Sequence, residues 1–143
     1  MKRILLILNK ANRETAIMNA VKREIDTISP DSDVRLLQFD HMFLDEALAF
    51  HPDVVMTFPM TSVGLAAPYY IFKHKFGTKV VCFRAEGIID PGSASSVANH
   101  VGYDRYGSEL VDCEIFWGPG PARLIGDALL QQRKISSRAR LVT

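Results

Sequence analysis

Ile4-Leu5-Leu6-Ile7-Leu8 is an unbroken aliphatic run, and its reading decides the fold. A strand with one wet face alternates apolar and polar residues. A continuous run reports a strand buried on both faces, and such strands belong to parallel sheets covered by helices on each side. Met1-Lys2-Arg3 gives the run the look of a signal peptide. The run is too short for one, however, and Asn9-Lys10 interrupts it where a cleavage region should begin.

Strands and helices alternate downstream of this first strand. Asn9 to Arg13 is polar and turn-forming. Ile17, Val21, Ile25 and Ile28 recur at helical spacing and predict a helix from Glu14 to Ile28. Ser29-Pro30-Asp31-Ser32 ends it. Val34 to Phe39 reads as a strand, Met42 to Phe50 as a short helix, and Val54 to Phe58 as a third strand. A helix from Ser62 to Phe76 follows, with Ser62 as its N-cap and Pro68 expected to kink or shorten it. Gly77-Thr78 closes that helix, and Lys79 to Phe83 is the fourth strand. A long polar segment, Arg84 to Gly107, leads through a short helix (Tyr106 to Val111) to a strand at Glu114 to Phe116. A helix from Pro121 to Gln132 and a strand from Arg138 to Thr143 complete the pattern. The order predicts an α/β, Rossmann-like parallel sheet with helices on both faces, built as a single domain over residues 1–143.

Length and charge narrow the function classes. The chain of 143 residues suffices for one domain with its own core. A formal net charge of +1 gives no global field toward nucleic acid or an anionic membrane. No apolar run approaches the roughly 20 residues that span a bilayer. Cys82 and Cys113 fall inside predicted core strands, which suits a cytoplasmic protein with reduced thiols. No Cys or His spacing resembles a zinc site, and no repeat or linker divides the chain.

Ligands of such sheets bind beyond the carboxyl ends of the strands. Function is therefore sought in the loops Asn9 to Arg13, Pro59 to Ser62, Arg84 to Ser96 and Trp117 to Pro121. Arg84-Ala85-Glu86-Gly87 follows the fourth strand. A carboxylate there can act as a general base or hold a hydroxyl, and Glu86 is the better candidate of the pair; a surface turn is the alternative. Asn9, Lys10 and Arg13 can meet an anion beside a helix N-terminus, but the loop lacks the glycines of a dinucleotide fingerprint or P-loop. Thr61 and Ser62 offer hydroxyls for capping or for a substrate. Asp90 to Ser96 has the composition of a flap, with His100 beside it. Trp117-Gly118-Pro119-Gly120-Pro121 reads as a tight strand-to-helix corner, with Trp117 able to line the crevice.

Together these residues resemble the amino-terminal domain of a GT-B-type glycosyltransferase, nearest to the surface carbohydrate biosynthesis proteins and the CDP-glycerol glycerophosphotransferase-like group. The resemblance rests on Glu86-Gly87 after the fourth strand, the Asp-x-x-x-x-Trp-Gly strand Asp112 to Gly118, and the helix from Pro121 to Gln132. It covers Val80 to Thr143 best. Pro119 departs from the family's acidic residue after Trp-Gly. The resemblance implies transfer of a sugar from a nucleotide donor to a glycan or lipid-linked glycan acceptor, at the cytoplasmic side and near the inner face of the membrane. It implies Glu86 as the base and chemistry without a bound metal; no cofactor is expected. By their positions in the loops, Asn9, Lys10, Arg13, Thr61, Ser62, Arg84, Gly87, His100 and Trp117 are the candidate substrate-binding residues. The final strand has barely begun at Thr143, so the expectation is that the natural chain continues into a nucleotide-binding domain. Two other readings stay open: a stand-alone flavodoxin- or receiver-like binding domain, and half of a nucleotide-sugar epimerase.

Overall fold

A computed structural model of the chain describes residues 1–8, 11–40, 43–59, 63–84, 109–116, 118–131 and 140–143. The elements are β1 (Arg3–Leu8), α1 (Ala11–Ile28), β2 (Asp33–Gln38), α2 (Phe43–Phe50), β3 (Val54–Thr57), α3 (Val63–Phe76), β4 (Lys79–Arg84), β5 (Cys113–Phe116), α4 (Pro119–Gln131) and β6 (Arg140–Val142). The strands form one sheet in the order β2-β1-β3-β4-β5-β6. Every pairing is parallel. The protein is a Rossmann-like α/β domain.

The aliphatic run behaves as its composition requires. Leu5 and Ile7 join one core layer with Phe43, Phe50, Phe72 and Leu129, contributed by α2, α3 and α4. Leu6 and Leu8 join the opposite layer with Met18 of α1. Right-handed crossovers explain this division. The chain moves one way from β1 to β2, which puts α1 on one face. It moves the other way from β2 onward, which puts the later helices on the other. Each fully buried aliphatic side chain contributes roughly 1.5–3 kcal/mol, so the sheet's centre is its most stable part. On the α1 side, an open apolar groove runs between Ala16, Ala20 and Ile25 of α1 and Met56, Phe83 and Ile115 of the strands.

Several expected boundaries shift. The first helix begins at Ala11, so Ala11 to Arg13 form its first turn and not a loop. Its buried face uses Met18, while Ile28 is 78% exposed at the helix end. Arg84 is the last residue of β4 and not part of the following loop. The last long helix takes in Pro119 and Gly120, which the sequence placed in a corner. Proline suits a helix's first turn because the amides there have no intrahelical partner. Pro68 lies inside α3, yet one helix spans Val63–Phe76. Gly77 ends that helix at φ +68°, and its amide and that of Thr78 bond back to the Lys73 and Phe72 carbonyls.

The amino edge of the sheet is closed by aspartates. Asp53, just before β3, accepts the Arg3 amide of β1 at 2.8 Å, while its own amide donates to the Arg3 carbonyl. Asp112, just before β5, repeats the device on β4: its Oδ2 accepts the Val80 amide at 2.9 Å, and its own amide donates to the Val80 carbonyl. Lys73 of α3 donates to the same carboxylate at 2.6 Å and to the Leu110 carbonyl at 3.0 Å. One side chain thus ties α3, β4 and the start of β5 together.

Burial opposes ionisation of Asp112, but hydrogen bonds from Lys73 and the Val80 amide, with the charges of Lys73 and Lys79, outweigh it and hold the carboxyl below its ordinary range. Its stabilising effect is therefore complete above the ordinary carboxylate pKa of about 4. It is lost as pH falls through the lowered folded-state value. Asp112→Asn is expected to cost about 1–3 kcal/mol at neutral pH, the usual worth of a hydrogen bond to a charged group. It should also flatten the acid limb of the stability curve. Urea midpoints across a pH series check both, and unchanged midpoints in the variant would refute the account.

Candidate functional site

The site is set by topology before any side chain is considered. β1 and β3 are neighbours, yet α1 and α3, which follow them, pack on opposite faces of the sheet. In open α/β sheets such a reversal marks the place, beyond the carboxyl ends of the two strands, where ligands bind. In chain order α1 follows β1 and α3 follows β3.

The described residues at the carboxyl ends of β1 and β3 include the apolar Leu8 and Phe58 and one buried polar residue, Thr57. Thr57 closes β3, is fully buried, and shares a 2.7 Å hydrogen bond with the Tyr69 hydroxyl of α3. Its hydroxyl also donates to the Phe58 carbonyl at 3.2 Å. With the threonine proton there, Tyr69 is the donor. Burial pushes the Tyr69 phenol far above its ordinary pKa; the bond to Thr57 opposes this, while Cys82 and Glu14 add to it. The phenol is therefore a neutral hydrogen-bonding group at any physiological pH.

Glu14 lies in the first turn of α1 and is 8% exposed. A helix N-terminus favours a nearby anion by up to about 2 kcal/mol. Withdrawing a carboxylate from water costs several times that. The helix alone therefore does not account for Glu14, which makes a further interaction besides.

One row along the sheet, Thr57, Cys82 and Glu114 are register partners on β3, β4 and β5. Arg84 Nε donates to Glu114 Oε2 at 2.8 Å, with neither side chain exposed at all. Each of the two makes another interaction as well. The pair fixes the point at which the chain leaves β4 toward Ala85, Glu86 and Gly87.

Of the residues expected to act, Arg84 is placed fully. Its enclosed side chain acts on any ligand only through the chain that it anchors. Arg13 belongs to the first turn of α1. Asn9, Lys10, Thr61, Ser62, Glu86, Gly87, His100 and Trp117 lie outside the described residues, as does the Asp90 to Ser96 segment. Glu14, Thr57, Tyr69 and Glu114 were missed by the sequence reading. Glu114 carried a signal: it is a charged residue inside the short apolar strand Cys113–Phe116, and such a residue requires a buried partner. Thr57 ends an otherwise apolar strand in the same way. Among the described residues, no group of three or more His, Cys, Asp or Glu side chains is placed to hold a metal ion. No helix among them is long and apolar enough to cross a membrane.

No family model and no curated protein matches the chain. Among solved structures it is similar to a phosphate-loop protein, at 20% identity over 60% of this chain and 80% of the other, with a TM-score of 0.44. It is also similar to a periplasmic solute-binding protein of an ABC transporter from Actinobacillus succinogenes 130z with bound D-allose, at 12% identity and a TM-score of 0.45. A third is the transcription regulator CcpA of Lactococcus lactis, at 13% identity and a TM-score of 0.45. The latter two matches cover 99% of this chain, which spans 58% of the length of each. At that level of likeness the matches say nothing of ligand or activity.

The buried pair makes an energetic prediction. Arg84→Met takes its charged partner from the fully buried Glu114 carboxylate, and Glu114→Leu does the same to the guanidinium. Each is expected to cost about 3–5 kcal/mol. The double variant Arg84→Met/Glu114→Leu should recover most of that loss. A double-mutant cycle in guanidinium chloride measures the coupling; additive losses would show that the two side chains are not energetically linked.

Proposed function

We propose that this domain binds the acceptor in a glycosyl transfer reaction, in which a sugar passes from a nucleotide donor to a surface glycan under construction. The observation that carries the reading is the character of the crevice between β1 and β3. Beneath it lie a buried carboxylate, Glu14, and a coupled pair of buried hydroxyls, Thr57 and Tyr69, so the end of β3 that borders it is polar. The Glu86-Gly87 and Asp112-to-Gly118 resemblance supplies the reaction type. Glu86 follows Arg84 by two residues, so chain reach alone keeps its Cα within about 7 Å of the Arg84 Cα. Arg84 in turn is pinned by Glu114. A base on this stretch would begin from a fixed anchor at the carboxyl edge of the sheet.

A second reading is favoured by the strand order. β2-β1-β3-β4-β5 is the order of flavodoxin-like domains, which bind their ligand at this same crevice without a second domain.

Calorimetry separates the two. On the acceptor reading, this chain binds a neutral glycan and binds nucleotide sugars no tighter than about millimolar. Micromolar nucleotide binding by this chain alone would favour the second reading. In the whole enzyme, Glu86→Gln is expected to lower kcat about 10²- to 10⁴-fold, the usual loss for a general base, with little change in Tm. Near-normal turnover would exclude Glu86 as the base.

A further inference from the structure

We draw no further inference here: the strongest candidate, the open apolar groove between Ala16, Ala20 and Ile25 of α1 and Met56, Phe83 and Ile115 on the α1 side of the sheet, is an unpartnered face, and nothing in the structure shows what covers it.

Discussion

A sheet covered on both faces has no water with which to satisfy a polar group, and the bond between Arg84 and Glu114 is where this chain meets that constraint most severely. Two full charges lie in the core with no exposed side-chain surface. Neither is tolerable alone, because an unpaired buried ion costs several kcal/mol. Their pairing links the carboxyl half of β4 to β5 across the register Cys82↔Glu114 and Arg84↔Phe116. A leucine and a methionine could fill the same space without the desolvation cost. What an apolar pair lacks is direction: the guanidinium must meet the carboxylate in one geometry, so the end of β4 is held in one position. The chain that leaves it carries the acidic residue for which a chemical role is proposed.

The two edges of the sheet use acidic residues for different ends. At the amino edge, parallel strands present amides without strand partners, and acceptors are what that edge needs. Asp53 and Asp112 provide them to Arg3 and Val80. At the carboxyl edge the strands end in carbonyls, which need donors. A carboxylate does nothing for those groups. Glu14, by contrast, belongs to the first turn of α1, where the helix field favours an anion. The same side-chain chemistry closes strands at one end of the sheet and meets a helix N-terminus at the other.

The architecture was legible because it rests on local pattern. Ile4 to Leu8 announced a doubly buried strand, and the alternation of elements then left few topologies open. The helix boundaries slipped at Ala11 and Pro119 because first-turn residues look polar or turn-forming in sequence while their backbone is already helical. The site was less legible. Thr57, Tyr69 and Glu14 come from three separate elements, and nothing local to any of them reports the others. Tyr69 sits among the apolar residues of α3, where an aromatic reads as core; only the fold shows its hydroxyl 2.7 Å from Thr57. Arg84 was misjudged for a related reason. An arginine at a strand's end reads as surface unless its partner is known, and Glu114 lies thirty residues away. Asp53 and Asp112 could have been found: an aspartate directly before a β-branched or apolar strand recurs at Asp33, Asp53 and Asp112.

The strand order adds one more step. Because β1 lies inside the sheet between β2 and β3, the crevice opens beside the most buried strand of the domain. Groups placed there are held by the stiffest part of the fold. Such a position amplifies any charge, since few waters are near to screen it.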